Sequence, residues 1–179
     1  MKISYDGTFT ANQAPDDVYQ FLITPEKYAP LMPFFKELKD VEDDSFTLVM
    51  EIGIPQLRGK AEVKVRRLPS ESSDVLQANY NASGKHSLGM VDSLVSYTVT
   101  SAGEAKSDVK WQCDSVVSGT LASLAQGIMA PLAKRNIDQM VKSVQRALNG
   151  GSETEAEKKG VWGRMSEGVK RFTTKGDDQ

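Results

Sequence analysis

The stretch EAKSDVKWQCDSVVSGTLASLAQGIMAPLAKRNIDQMVKSVQRAL, residues 104 to 148, decides the fold. Its first part alternates apolar and polar residues with a period of two, as expected for a strand that is buried on one face. From Thr120 onward the apolar residues recur every three or four positions, and this pattern predicts one long helix that ends at Leu148. A sheet that leads into a single long helix must bury its apolar face against that helix.

The residues that precede this stretch read as a series of short strands. Alternating segments lie near residues 35–42, 45–54, 58–68, 73–82 and 88–101, and they continue into 104–117; turn-forming residues such as Pro69-Ser70 and Ser83-Gly84 separate them. Short turns permit antiparallel pairing only, because parallel strands need long crossover connections. Residues 1–10 alternate as well, and Pro15 suits the first turn of a helix. We therefore expect an α+β fold: a strongly bent antiparallel sheet of about seven strands, wrapped around the long C-terminal helix, with two short helices after strand 1.

The alternation gathers a set of apolar side chains on one face of this sheet. These side chains either fill a core or line a pocket, and periodicity alone does not distinguish the two. The long helix favours a pocket, because Pro131 predicts a bend at Gly127 and because Ala125 and Met129 leave room beneath it. The residues predicted to line the cavity are Phe35, Phe46, Leu48, Met50, Ile52, Val63, Val65, Leu76, Tyr80, Val95, Trp111, Leu124, Ile128, Met129 and Leu132.

Composition excludes several classes of function. The chain of 179 residues has one cysteine and one histidine, so it forms no intrachain disulfide and no zinc site with several His and Cys ligands. Any Ser-His-Asp or Cys-His catalysis would depend on His86 alone, and we expect no catalytic residues and no metal. With 22 Lys and Arg against 24 Asp and Glu, the net charge of −2 predicts no nucleic-acid partner. The first ten residues lack the apolar segment of a signal peptide, which predicts a cytoplasmic protein.

Three segments carry a resemblance to a known family. APDDVYQFL at residues 14–22, followed by TPE at 24–26, resembles the opening helix of the START-like, Bet v 1-like helix-grip (SRPBCC) superfamily. Two further segments follow in matching order. They are GIPQLRGK at residues 53–60 and VSGTLASL at 117–124, which leads into AKR at 133–135. Together they resemble the carbon monoxide dehydrogenase G-subunit family over about residues 2 to 148. The chain departs from that family at Pro33-Phe34-Phe35, where relatives tend to carry Pro-Gly, so the pocket mouth is expected to be bulkier.

The resemblance implies a helix-grip fold with a hydrophobic cavity and without a catalytic metal. It also implies an accessory role beside a molybdenum-dependent oxidoreductase of the CO dehydrogenase type. The expected ligand is a lipophilic molecule, an isoprenoid quinone of the menaquinone or ubiquinone type, with no covalent cofactor. Two alternatives stay open. One is an adaptor or assembly factor that carries nothing. The other is a cyclase-like enzyme of the superfamily that would use Tyr5, Tyr80, Asp92, Tyr97 or His86 as acid–base groups.

The composition changes after Leu148. We expect a ligand-binding domain over residues 1–149, a flexible linker over 150–157 and a basic amphipathic tail over 158–179. Residues 158–175 contain six cationic side chains and one carboxylate. On a helical wheel their apolar residues lie within about 100° of arc. This pattern is typical of a helix that binds an anionic membrane surface, here the inner face of the cell membrane; the alternative is a disordered tail. The predicted membrane-binding residues are Lys158, Lys159, Val161, Trp162, Arg164, Met165, Val169, Lys170, Arg171, Phe172 and Lys175.

Overall fold

A computed structural model describes residues 1–53, 57–69, 75–124 and 130–150 of the chain. Seven strands form one antiparallel curved sheet: β1 (Lys2–Ala11), β2 (Phe35–Lys39), β3 (Ser45–Ile52), β4 (Gly59–Leu68), β5 (Leu76–His86), β6 (Gly89–Gly103) and β7 (Lys106–Val117). The strand order is β1-β7-β6-β5-β4-β3-β2. Thus β2 to β7 form a meander, and β1 closes onto β7 at one edge. The expected α+β helix-grip fold is confirmed.

The described helices precede and follow the meander. After β1 come α1 (Pro15–Ile23), α2 (Pro25–Tyr28) and a 3₁₀ turn (Ala29–Leu31). Both short helices begin with proline, whose fixed φ suits a first helical turn. The C-terminal part contains α3 (Thr120–Leu124) and α4 (Ala130–Leu148). The predicted bend at Gly127 lies outside the described residues, as do the predicted linker from 151 onward and the whole tail.

Strand β5 is longer than the sequence suggested. We expected it to end at residue 82, with a turn at Ser83-Gly84, but it continues to His86 and turns at Ser87 and Leu88. Gly84 is a strand residue that pairs with Val63 on β4, and a Cβ at this position would lie 3.3 Å from Cγ2 of Val63. The glycine therefore reflects limited space on the sheet face rather than a turn.

The connection into β2 contains an unusual backbone conformation. Phe34 has a φ of +64°, in the left-handed region that glycine enters without steric cost. This is the position at which the resemblance places a glycine in relatives. Its side chain packs beside Leu57 and Leu121, so the strained residue contributes an aromatic ring to the apolar interior.

Candidate ligand-binding site

The strand register aligns one set of side chains into rows that cross the sheet on a single face, here called the inner face. One row runs from Phe46 through Val65, Ala82, Ser93 and Ser115 to Ile3. The next row runs from Arg67, at its β4 end, through Tyr80, Val95 and Cys113 to Tyr5, and a third contains Ala78, Tyr97, Trp111 and Gly7. The inner face is therefore mainly apolar, with a few hydroxyl groups near its middle.

Three buried clusters occupy the margins of the inner face. Val144 and Leu148 of α4 pack on Ala11, Val99 and Val109 at one end of β1, β7 and β6. At the other end of these strands, Leu121 of α3 packs with Leu57 and Val117. The third cluster lies on β3, β4 and β5, where Ala29 of the 3₁₀ turn covers residues that include Phe46, Leu48 and Tyr80. These clusters hold the helices against the sheet.

Between the clusters the inner face is only partly buried. Val95 and Cys113 lie at the centre of the sheet, where a filled core would bury them fully, yet both have intermediate exposure. The neighbouring side chains are small; they are Ala82, Gly84, Ser93 and Ser115. Small side chains on a curved sheet leave volume between the helices that pack at its margins. This arrangement favours an apolar space with a partly accessible wall.

A pair of buried tyrosines forms one polar feature of this wall. The hydroxyl of Tyr97 donates to the backbone carbonyl of Leu22 over 2.6 Å, and the Tyr80 and Tyr97 hydroxyl oxygens lie 3.0 Å apart. Their rings stack with centroids 5.8 Å apart. Burial raises the pKa of both hydroxyls, and that of Tyr97 lies well above the ordinary value. The pair therefore stays protonated near neutral pH.

Ser93 and Ser115 form a second polar feature. Their hydroxyl oxygens lie 2.7 Å apart across the β6–β7 pair. The thiol sulfur of Cys113 lies 3.6 Å from the hydroxyl oxygen of Ser115. All three side chains have intermediate exposure. The sequence prediction missed this pair; alternation along β6 and β7 puts both residues on the apolar face, and this was the available signal.

Two further donors are buried on the inner face. Within the described residues, Nε2 of His86 and Nε1 of Trp111 are enclosed and have no hydrogen-bond partner. Nδ1 of His86 accepts from the backbone N–H of Leu88 over 3.2 Å, so in the neutral ring Nε2 carries the proton. The Trp111 indole lies over Gly7, where a Cβ would come within 2.8 Å of the ring. The glycine makes room for the indole.

The sequence-predicted cavity residues can now be placed. Most lie on the inner face or pack against its clusters: Phe35, Phe46, Leu48, Met50, Ile52, Val63, Val65, Leu76, Tyr80, Val95, Trp111 and Leu124. Ile128 and Met129 lie outside the described residues, and the side chain of Leu132 is not described. Whether these residues bind a ligand stays a prediction.

The candidate acid–base groups do not form one site. Tyr80 and Tyr97 contact each other, and Tyr5 shares the Tyr80 row. Asp92 lies on the opposite, outer face, where it accepts from the Ser83 hydroxyl over 2.6 Å. The turn predicted at Ser83-Gly84 puts His86 between two strands, and this is wrong: His86 ends β5 and is 9% exposed, with its ring packed against Gly59.

The outer face has a different character. A shallow groove of about 580 Å³ runs across β3 to β6 there. Charged and polar side chains such as Lys64, Arg66 and Asp92 line it, beside residues of the inner face such as Ala82 and Ser93. The charged groups make it unsuited to a lipophilic molecule. In the part of the chain that the structure describes, no three or more His, Cys, Asp or Glu side chains are grouped as metal ligands. None of the described helices has the length and apolar character needed to cross a membrane.

A family comparison adds to this geometry. The family model for the G subunit of carbon monoxide dehydrogenase (CoxG) matches residues 7–149. The chain belongs to the CoxG family. No curated protein is a significant sequence match to this CoxG family member.

Solved structures share the fold of this CoxG family member at low sequence identity. A conserved protein from Geobacillus kaustophilus superposes with a TM-score of 0.71 at 17% identity, covering 82% of this chain and 95% of its own. A START superfamily protein from Mycobacterium smegmatis gives 0.56 at 14%, covering 82% and 94%. The Zhui aromatase/cyclase from Streptomyces sp. R1128 gives 0.62 at 12%, covering 83% and 94%. These similarities establish the START-like fold, which both enzymes and non-enzymes adopt.

Proposed function

We propose that this protein is a non-enzymatic carrier that holds a lipophilic small molecule, an isoprenoid quinone of the menaquinone or ubiquinone type, against the inner face. The observation that supports the proposal best is the partly open apolar wall between three packed clusters. Ligand sites of this kind are mainly apolar, with a few polar groups that fix orientation. The Tyr80–Tyr97 and Ser93–Ser115 pairs supply such groups.

The dimensions of the inner face suit an elongated ligand. Tyr80 and His86 lie on the same face of β5, six residues apart, which corresponds to roughly 20 Å. Between them stand only Ala82 and Gly84 on that face. A ligand with a flat aromatic head and a hydrocarbon chain would lie along this length of small side chains, which supports a quinone as the proposed ligand.

The family and the tail supply the setting. Membership of the CoxG family supports an accessory role beside a CO-dehydrogenase-type molybdenum oxidoreductase. The basic tail predicted from the sequence would keep the protein at an anionic membrane, where isoprenoid quinones dissolve. For this reason we place the protein at the cytoplasmic surface of the cell membrane.

The hydroxyl groups of the interior argue for binding rather than catalysis. Because burial raises the pKa of Tyr80 and Tyr97, each hydroxyl is a weak acid near neutral pH. Asp92, the carboxylate among the candidate acid–base groups, faces outward. A cyclase-like reaction would need a base that can reach the ligand, and Nδ1 of His86, the accepting nitrogen of the neutral ring, is already occupied by the Leu88 N–H.

A fluorescence titration tests the carrier function. The chain has two tryptophans, Trp111 on the inner face and Trp162 in the tail, so Trp162→Phe leaves Trp111 as the reporter. In this background menaquinone with a short isoprenoid chain is expected to quench Trp111 emission and to saturate. Ala82→Phe should abolish saturable quenching, because the new ring occupies the partly exposed inner face between the three clusters. Asn81→Phe, on the same strand but the exposed outer face, is the matched control.

The same variants report whether the interior is open. A phenylalanine forced into a filled core typically costs about 1–3 kcal/mol of stability. If the interior is open, Ala82→Phe leaves the free energy of unfolding close to that of Asn81→Phe. Unchanged quenching in Ala82→Phe, or no saturable quenching in the background protein, would contradict the carrier function.

One feature favours the adaptor as a second candidate. Leu94 and Val116 lie diagonally across β6 and β7 on the outer face and are 45% and 47% exposed. Exposed apolar neighbours of this kind are common at protein-binding surfaces. A Leu94→Asp variant that loses dehydrogenase binding but still binds quinone would assign docking to this face. Full support of dehydrogenase activity by Ala82→Phe, a variant that no longer binds quinone, would select the adaptor over the carrier.

A further inference from the structure

The hydroxyl pair on the inner face has unused hydrogen-bonding capacity. Ser93 and Ser115 together hold two hydroxyl protons, and their mutual contact of 2.7 Å consumes one. Within the described residues, their other side-chain contact is the Cys113 sulfur, 3.6 Å from the Ser115 oxygen. A thiol is a weak partner in either direction. One proton and several lone pairs are therefore available to a third oxygen atom.

The position of the pair matters as much as its chemistry. The two serines occupy the middle of the row that begins at Phe46 and ends at Ile3, between apolar residues. Alanine or valine would satisfy a buried strand face equally well, because the strands need no side-chain hydroxyl for their backbone hydrogen bonds. Both residues have intermediate exposure and belong to the inner-face row, where a ligand in the proposed interior would meet their hydroxyls.

We propose that Ser93 and Ser115 form the polar subsite of the interior and bind an oxygen atom of the ligand ring, either a carbonyl or a hydroxyl. This inference rests on the proposed carrier function and names the residues that orient the ligand. A serine hydroxyl rotates to donate to a carbonyl or to accept from a hydroxyl. The pair therefore holds a quinone and its reduced hydroquinone alike, as a carrier between two redox states requires.

Binding measurements with small probes test the subsite in the full-length protein. The probes are menadione, its two-electron-reduced form under anaerobic conditions, and 2-methylnaphthalene, which has a similar shape but no oxygen. In Ser93→Ala/Ser115→Ala, equilibrium dialysis should show about tenfold weaker binding of both oxygenated probes, as expected for a lost hydrogen bond in an apolar site. Binding of 2-methylnaphthalene should be unchanged.

Controls separate the subsite from effects on the fold. Ser83→Ala makes the same chemical change on the outer face of β5, where the Ser83 hydroxyl bonds Asp92, and should leave all three affinities unchanged. If the double variant unfolds, Ser93→Ala and Ser115→Ala singly should each weaken binding of the oxygenated probes by a smaller factor. The infrared carbonyl band of bound ¹³C-labelled menadione should also move toward its position in hexane when the hydroxyls are removed.

The outcomes distinguish two failures. If the wild-type protein binds all three probes but the serine variants lose none or lose all three equally, the subsite is wrong while the carrier function stands. If the wild-type protein binds none of the probes, the carrier function itself fails, and the subsite fails with it.

Discussion

The Tyr97 hydroxyl ties the sheet to α1 through the Leu22 carbonyl, and its burial has a consequence for pH dependence. Because the pKa of Tyr97 is raised in the folded chain, the folded state keeps a proton that the unfolded state loses above about pH 10. This contribution to stability is fully present below the unfolded pKa and is lost as the pH rises toward the folded pKa. We predict that the free energy of unfolding falls between about pH 8 and about pH 10.5, and that Tyr97→Phe makes this fall smaller.

Urea unfolding at the two pH values measures this effect. At the lower pH, Tyr97→Phe should cost about 1–2 kcal/mol because the Leu22 carbonyl loses its donor. Phe9→Leu, which changes another partly buried aromatic residue of the inner face, should leave the pH dependence intact. An unaltered pH dependence in Tyr97→Phe would mean that other groups cause the fall.

Individual side chains were predictable from the sequence only as far as their face of the sheet. Alternation assigned Tyr80, Val95 and Trp111 to the same face, and the register agrees. Alternation does not show which residues of different strands meet. Ser93 and Ser115 are separated by 22 positions, and their contact follows from the β6–β7 register, which the turn between the strands sets.

The connection between the 3₁₀ turn and β2 gives a prediction about backbone strain. Phe34→Ala and Phe34→Gly both remove the ring from the Leu57–Leu121 cluster, but only glycine relaxes the left-handed backbone. We predict that Phe34→Gly is more stable than Phe34→Ala by about 1 kcal/mol, measured by urea unfolding.

The neighbouring position is the matched control for this prediction. Phe35 begins β2 and is outside the positive-φ region, so at this site glycine should be the less stable substitution by about 0.5–1 kcal/mol. If glycine is the less stable substitution at both positions, the backbone conformation of Phe34 stores no strain.

Whole elements were predicted well where the periodic pattern is long, and less well at their ends. The seven strands and the short proline-initiated helices were expected, and they are present. The end of β5 was misplaced because Ser83-Gly84 resembles a turn, whereas Gly84 is a strand residue beside Val63, where a Cβ would make a close contact of 3.3 Å. Such a contact comes from a neighbouring strand and is invisible in local sequence.

At the scale of the whole molecule, the pairing of β1 with β7 could not be predicted from the sequence. The meander from β2 to β7 follows from short connections, but β1 pairs with β7 across roughly a hundred residues. The α4 end then attaches to β1, where the Gln145 side chain donates to the Thr10 carbonyl over 2.7 Å. The pairing of β1 with β7 brings Tyr5 and Ile3 beside the serine pair and adds the last strand to the inner face.

The last prediction concerns the tail, which lies beyond the described residues and beyond the matched range of the family. Each cation near an anionic lipid surface contributes about 1 kcal/mol, and the apolar stripe that contains Trp162 and Phe172 adds burial energy. Gly160, Gly163 and Gly168 each oppose helix formation by about 1 kcal/mol, so the tail should become helical only on the membrane. We predict that phosphatidylglycerol-containing vesicles sediment the full chain and that a chain ending at Asn149 stays in the supernatant.

Two controls make the origin of this binding explicit. Lys170→Glu/Arg171→Glu should release the protein from anionic vesicles, and phosphatidylcholine vesicles should sediment little of the full chain, because the cations then lack lipid charge to bind. Trp162→Ala should weaken binding without altering its salt dependence, since it removes apolar area and no charge. Equal sedimentation of the full and shortened chains would place membrane attachment, if it occurs, on the ligand-binding domain and would leave the tail without this role.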